Sequence, residues 1–198
     1  MIDVQEVIRL HRETVELWHH EPPANPYAGF LHVVCEQHKF NFQLWHEEDV
    51  ARSPDVGDAR IAAVKRAIDG YNQKRNDWIE KLDDFLLTEL HCLAIEPHAD
   101  ARLNTETPGS TIDRLSILSL RLYHMEEQAE RKVAPAEHVA KVRDRLTILR
   151  EQHCDLSTSL AQLLEDIYAG RKRLKIYRQF KMYNDPSLNP YLYKAAKP

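Results

Sequence analysis

Apolar residues recur at steps of three and four positions along most of this chain, as they do along the buried face of an α-helix. Segments rich in proline, glycine and short polar residues separate these runs, and such segments end helices. The sequence shows no alternation of apolar and polar residues of the kind that predicts a half-buried strand. The pattern therefore predicts five long helices, over about 4–20, 29–52, 59–93, 112–133 and 136–170.

The segment after the fifth predicted helix differs from the rest of the chain in charge. Residues 171–198 contain eight lysines and arginines against one acid, so this segment carries a formal charge of +7 and the first 170 residues carry −11. We interpret it as a short basic helix followed by an extended aromatic tail. The predicted fold class is all-α, an antiparallel bundle of about five long helices that forms a single domain over residues 1–198.

Length and composition exclude several classes of protein. The chain has 198 residues and can bury a substantial core, and its net charge of −4 does not favour nucleic-acid binding. No run of eighteen apolar residues predicts a membrane span. The first residues lack the apolar region of a secretory signal. We therefore expect a cytoplasmic protein.

The fourth predicted helix is apolar on nearly all sides, which is typical of a helix inside a protein. A polar segment precedes it and turns at Pro108 and Gly109, and Ser110 or Thr111 is predicted to cap its N-terminus. The same helix carries four charged or titratable residues, Asp113, Arg114, Arg121 and His124. An interior tolerates such groups only where they are paired or used in function. We therefore interpret this helix as one wall of a functional site.

Polar stripes on the second and third predicted helices indicate the same site. The stripe on the second helix spans about 40° of ideal helix geometry. Its members are Asn41, Trp45, Glu48 and Arg52, with His46 and Asp49 on the flank. The stripe on the third helix consists of Lys65, Asp69, Asn72 and Asn76, and Asp77 follows it. Because bundles build ligand sites from polar groups on facing helices, the sequence predicts a pocket between the second, third and fourth helices.

The leading hypothesis is an enzyme or a binding protein for a phosphorylated or sugar-nucleotide metabolite. Arginines would hold the anionic groups and amides would orient hydroxyls. The predicted ligand-binding residues are Asn41, Glu48, Arg52, Asp69, Asn72, Asn76, Asn104, Arg114 and Arg121. The predicted acid–base residue is His46 or His124, positioned by Asp49 or Asp113.

The same residues also fit plainer interpretations. Both stripes fit solvated helix faces, with Glu48 and Arg52 as an ion pair one turn apart. Asp113 fits a carboxylate at the N-terminus of its own helix, or the partner of Arg114 or Arg121. His124 fits a hydrogen-bonded core histidine. These alternatives remain open at the level of the sequence.

Two further functional hypotheses belong to different classes. The first is a Mg²⁺- or Mn²⁺-dependent phosphohydrolase, with Glu48, Asp49, Asp69 and Asp77 as metal ligands. The second is a non-catalytic adaptor that docks a partner enzyme through its basic and aromatic C-terminal segment, although the basic residues also fit a helix end whose dipole they complement. The sequence contains no phosphate-binding loop, nucleophile elbow or zinc-protease motif that would favour another chemistry.

Five segments of the chain resemble a known family. They are residues 10–19 (LHRETVELWH), 41–52 (NFQLWHEEDVAR), 68–77 (IDGYNQKRND), 103–128 and 179–193 (QFKMYNDPSLNPYLY). Together they resemble domain-of-unknown-function family 4254 of bacterial proteins. The resemblance implies a bacterial, cytoplasmic, all-helical protein, found in the context of glycosyltransferases of cell-surface polysaccharide synthesis. It implies no activity and no catalytic residue.

Overall fold

The computed structural model describes residues 1–179, 182 and 185–195, and most of them lie in helices. The helices are α1 (Val4–Trp18), α2 (Gly29–Arg52), α3 (Asp58–Cys92), α4 (Pro108–Ala129), α5 (Ala136–Tyr168) and α6 (Pro190–Ala195). Two short parallel strands, β1 (Arg102–Leu103) and β2 (Lys172–Arg173), pair with each other. The all-α class and the five long helices predicted from the periodicity are confirmed. No helix within the described residues is both long and apolar enough to cross a membrane.

Helix α4 lies at the centre of the bundle, where it contacts α1, α2, α3 and α5. Its residues Ile112, Leu115 and Leu120 are at most 1% exposed. Four neighbouring helices explain why this helix is apolar on nearly all sides, and the prediction that it is an interior helix is confirmed. Helix α2 packs along α3, and α4 packs along α5, so that the core runs through all five long helices.

The N-terminus of α4 lies four residues earlier than predicted. Thr107 caps it through a side-chain oxygen that accepts from Ser110 N at 3.2 Å, and Pro108 occupies the first turn, where its lack of an N–H has no cost. The predicted caps, Ser110 and Thr111, are therefore wrong. Gly109 donates its N–H to the buried Asp83 carboxylate of α3 at 2.7 Å, and a Cβ at Gly109 would lie 2.7 Å from a backbone oxygen of α3. This contact holds α4 closely against α3.

The described part of the basic segment, residues 171–179, is not the predicted short helix. Gly170 ends α5 with a φ of +73°, and the chain then runs beside residues 96–103 to form β2. Further along, Arg178 forms ion pairs with Asp84 at 2.7 Å and Glu80 at 3.0 Å on α3. Arg171, by contrast, pairs with Asp166 at 2.7 Å and Glu165 at 3.2 Å in the last turn of α5. Phe180 and Tyr183, two aromatic residues of this segment, lie outside the described residues. Further along, Pro190–Ala195 form the short helix α6 where an extended tail was predicted.

Candidate functional site

A buried carboxylate joins α2, α3 and α4. Asp113 on α4 is 4% exposed. Its Oδ1 atom accepts from Gln37 Nε2 at 2.6 Å, from Asn41 Nδ2 at 2.9 Å and from Arg75 Nε at 2.7 Å. Asp113 therefore does not cap its own helix and does not pair with Arg114 or Arg121, as the alternative interpretations held. It is the centre of a hydrogen-bonded network between three helices. We call this network, formed by Asp113, Gln37, Asn41 and Arg75, the floor, because it lies beneath the cleft described below.

Arg75 on α3 supplies the positive charge at this floor. Its guanidinium forms a second bond, from Nη2 to Asp113 Oδ2, so the pair is bidentate. The bond to the carboxylate raises the pKa of Arg75. The sequence analysis missed this residue. It follows Asn72 by three positions and lies on the same side of α3 as the predicted stripe, which is the signal that could have indicated it.

The floor extends into the core through two further side chains. Asn41 Nδ2 also donates to Ser116 Oγ at 2.8 Å, and Ser116 Oγ is hydrogen-bonded to His38 Nδ1 at 2.6 Å. His38 is fully buried, and desolvation lowers its pKa to about 3. Its ring lies 4.6 Å from that of His11, whose pKa is also lowered by burial. Both rings are therefore neutral near neutral pH.

Above the floor, a cleft of about 370 Å³ opens between α2, α3 and α4. Its apolar wall comes from Leu44, Ile117 and Leu120. Its polar and aromatic lining is formed by Asn41, Trp45, Glu48, Asp49, Arg52, Asn72, Arg75 and Arg121. The structure thus brings together much of the predicted pocket, at the predicted meeting of three helices. The stripe on α2 lines this cleft instead of forming only a solvated face.

The remaining predicted ligand-binding residues lie elsewhere. Asn104 and Arg114 line a separate groove beside α5, and Arg114 pairs with Glu106 at 2.8 Å. Asp69 is exposed and Asn76 is half-buried, and neither lines the cleft. The prediction of one shared pocket was wrong for these four residues. Asn104 precedes α4 in a loop whose position periodicity does not predict, and α4 turns Arg114 towards α5.

The proposed set of Mg²⁺ ligands does not converge in the described part of the chain. Glu48 and Asp49 line the cleft, whereas Asp69 and Asp77 are exposed on α3. These two acids are eight residues apart, which separates them by about 12 Å along the helix axis. Glu48 is engaged by Arg52 at 2.7 Å, the ion pair that the plainer interpretation described. A carboxylate cluster of these four residues is therefore ruled out by the geometry.

The predicted acid–base residues His46 and His124 do lie close together, with ring centroids 5.7 Å apart. His19, at the end of α1, contacts both rings, with centroids 5.1 and 5.0 Å away. Desolvation lowers the pKa of His46, and the charges of His19 and His124 lower it further. The sequence analysis did not assign His19 to the site, because a residue just beyond a helix end has no periodicity that indicates its neighbours.

Among the described residues, neither predicted positioning residue forms a hydrogen bond with these histidines, although the charge of Asp49 opposes the lowering of the pKa of His46. Asp113 and His124 are eleven residues apart on one helix, or about 16 Å along its axis. Glu127 takes this role instead, because its carboxylate lies 2.8 Å from His124 Nδ1. Among the described residues, no hydrogen bond joins Asp49 to His46. His19, His46 and His124 are also the described residues that could hold a metal ion.

Comparison with protein families identifies the chain by its sequence. Residues 31–176 match the model of the family described as "Protein of unknown function (DUF4254)". The match covers most of the chain, including nearly all of α2 and the whole of α3, α4 and α5, and the chain belongs to this family. No curated protein and no solved structure matches it.

Proposed function

We propose that this member of the family binds a small anionic metabolite, phosphorylated or sugar-nucleotide, in the cleft between α2, α3 and α4. One observation carries the proposal. Arg121 lines the cleft, and its guanidinium has no hydrogen-bond or ion-pair partner within the part of the chain that the structure describes. A free guanidinium offers the planar pair of donors that phosphate and carboxylate groups accept.

Arg75 provides a second, prearranged donor. Asp113 holds its Nε and Nη2 atoms, and no described residue accepts from Nη1. Because Asp113 is itself fixed by Gln37 and Asn41, the Arg75 guanidinium loses little conformational freedom when an anion binds. The cleft therefore offers one free arginine and one immobilised arginine to the same ligand.

The rest of the lining suits a polyhydroxylated or aromatic portion of such a ligand. Asn72 offers both a donor and an acceptor, and the exposed carboxylate of Asp49 offers acceptors for hydroxyl groups. The Trp45 ring is fixed by stacking on His124, with a centroid distance of 4.9 Å and an interplanar angle of 8°. Since His46 and His124 do not line the cleft, the proposal concerns binding and assigns no catalytic step to them.

The test is a thermal-shift screen of sugar nucleotides, sugar phosphates and inorganic phosphate, followed by calorimetric titration of any ligand found. A ligand that binds only the folded protein must raise its melting temperature. We expect Arg121→Ala to weaken binding about tenfold or more, since a charged hydrogen bond is lost. The matched control is Arg114→Ala, on the same helix but paired with Glu106 in the other groove.

A second matched pair of variants tests the contribution of the Asn72 amide to ligand binding. Asn72→Ala should weaken binding several-fold, whereas Asn76→Ala, one turn along α3 and outside the cleft, should leave the dissociation constant unchanged. Equal effects of Arg121→Ala and Arg114→Ala, or a screen in which no anionic ligand raises the melting temperature, would contradict the proposal.

The adaptor function is a second candidate, because the described part of the C-terminal tail exposes apolar side chains. Tyr191 is 86% exposed, and Leu188, Leu192 and Tyr193 are 41–48% exposed. We infer that this tail would dock a partner such as a glycosyltransferase of polysaccharide synthesis. Deleting residues 185–198 should then abolish binding of that purified enzyme without lowering the melting temperature. Undiminished binding by the deletion variant would exclude the tail as the docking element.

A further inference from the structure

Three histidines, from α2, α4 and the position just after α1, bring their rings together. One ring nitrogen each from His19, His46 and His124 lies within 4.8 Å of the other two. The Nε2 atoms of all three rings are buried and, among the described residues, have no hydrogen-bond partner. A buried polar atom without a partner destabilises the folded protein, because it has lost its hydrogen bonds to water and gained none. Three such atoms in one cluster therefore indicate a site for a ligand that binds all of them.

The hydrogen bonds made by the Nδ1 atoms determine whether the Nε2 atoms carry a proton or a lone pair. His19 Nδ1 lies 2.6 Å from the carbonyl oxygen of Val15, and His124 Nδ1 lies 2.8 Å from Glu127 Oε2. Because a carbonyl and an ionised carboxylate only accept, each Nδ1 atom carries the proton in the neutral ring. The Nε2 atoms of His19 and His124 then carry lone pairs, and a ligand for them must be an electron-pair acceptor.

Aromatic neighbours hold the three rings in place. Tyr123 stacks on His19 with centroids 4.1 Å apart, and Trp45 stacks on His124 at 4.9 Å. Phe42 packs against His46 in a T-shaped arrangement, with ring centroids 4.4 Å apart. Rings fixed in this way keep the nitrogens facing one another without a ligand, which is the prearrangement that a binding site needs.

We propose that His19, His46 and His124 form a binding site for a divalent transition-metal ion of the zinc class. Three imidazoles suit zinc and similar ions, whereas Mg²⁺ and Ca²⁺ prefer oxygen ligands. With Zn–N distances of about 2.0–2.1 Å, a tetrahedral ion separates its ligand nitrogens by about 3.3 Å. Each ring therefore needs to move by only about 1 Å from its present position. Three protein ligands leave a fourth position open, as in catalytic zinc sites.

The contacts around the rings match those of known metal sites. Histidine ligands commonly donate their other N–H to a carboxylate or a backbone carbonyl, and Glu127 and Val15 supply these acceptors here. The His124 side chain remains 21% exposed, which places the cluster near the surface of the bundle. The site shares Trp45 with the cleft described above, but it does not depend on binding of a metabolite there.

The test uses the full chain, freed of any affinity tag and of metal, and titrated with Zn²⁺, Co²⁺ and Mg²⁺. We expect one equivalent of Zn²⁺ to bind, Co²⁺ to give the visible absorption of a nitrogen-coordinated ion, and Mg²⁺ not to compete. His46→Ala and His124→Ala should each reduce Zn²⁺ affinity by more than about 100-fold, because each removes a metal ligand. Loss of a residue that only orients a ligand costs roughly 10- to 100-fold. Glu127→Gln should fall within that range, because it weakens only the orientation of His124.

The matched control is His20→Ala, which removes an exposed histidine next to His19 and should leave affinity unchanged. Melting temperatures of all variants without metal show whether each still folds. If an alanine variant does not fold, the proposal is tested with Glu127→Gln, which retains all three rings. Its Co²⁺ spectrum and Co²⁺ affinity are then compared with those of the parent protein. Substoichiometric binding by the parent protein, or an equal loss in His20→Ala and His46→Ala, would overturn the proposal.

Discussion

The Asp113 floor and the histidine cluster are both polar groups inside the bundle, but they differ in their partners. Each Asp113 oxygen accepts at least one hydrogen bond from a side chain of another helix. In the histidine cluster, by contrast, three Nε2 atoms are buried with no partner in the described structure. Both regions join α4 to α2, so their difference does not come from their position in the fold.

We interpret this difference as one between a structural polar group and the ligand site proposed for the histidines. At the floor the charged group is fully hydrogen-bonded, although Gln37 Oε1 and His38 Nε2 have no partner among the described residues. Hydrogen bonds to a buried charge stabilise the particular packing of the helices around it, and breaking them leaves that charge uncompensated. A cluster with free lone pairs contributes little to folding until something binds. Removal of side chains from the two regions should therefore have opposite consequences, with a large loss of stability in one and mainly a loss of binding in the other.

The largest expected loss of stability is that caused by Arg75→Ala. This change leaves the buried Asp113 carboxylate without its positive partner, and loss of one member of a buried pair costs about 3–5 kcal/mol. Since the Arg75 side chain is 26% exposed and Gln37 and Asn41 remain, we expect a loss of about 3 kcal/mol in the free energy of unfolding by urea. The control is Arg52→Ala, whose exposed pair with Glu48 should contribute less than about 1 kcal/mol. Equal losses would show that the floor is not structural.

A smaller effect concerns pH and His38, at the inner end of the floor. Its folded pKa of about 3 lies below the ordinary value of 6.5, so the unfolded chain takes up the proton first as pH falls. The stability from the neutral ring is complete above pH 6.5 and is lost progressively towards pH 3. By pH 5 the loss is roughly 2 kcal/mol relative to pH 7.

Comparing the parent protein with His38→Gln in urea at pH 7 and pH 5 isolates this contribution. Burial raises the pKa of Asp83 to about 6, which adds stability as pH falls, but this term is common to both proteins. His38→Gln should therefore lose about 2 kcal/mol less than the parent between the two pH values. The exposed His138→Gln serves as the control. An unchanged pH dependence in His38→Gln would contradict burial of a neutral ring.

The smallest expected change in stability is that caused by His46→Gln in the metal-free protein. No hydrogen bond to Nε2 is present to be lost, so we expect the free energy of unfolding to change by less than about 1 kcal/mol. The measurement is urea unfolding in the presence of a chelator, beside Arg75→Ala. A loss as large as that of Arg75→Ala would mean that the cluster is part of the structural core, and the contrast between the two regions would fail.

Much of the fold was predictable because helix periodicity is a local property. The five long helices and the interior position of α4 follow from spacings within single segments. The pairing of β1 with β2 was not predictable, since the strands are two residues long and lie about 70 positions apart. The helix predicted at residue 171 failed for the same reason, because contacts with residues 96–103 hold this segment in an extended conformation.

For the candidate site, the sequence by itself determined which helix faces carry polar groups. It predicted that Asn41, Asn72 and Arg121 would meet at one pocket, and it singled out Asp113, His46 and His124 as polar groups near a core. Only the tertiary structure decided which of these groups are paired. Asp113 binds Arg75 and Gln37, 38 and 76 positions away. The His124 ring contacts His19, and its Nε2 atom has no hydrogen-bond partner among the described residues. The physical reason is that a hydrogen-bond partner depends on the rotation and spacing of packed helices, which no periodicity within one helix records.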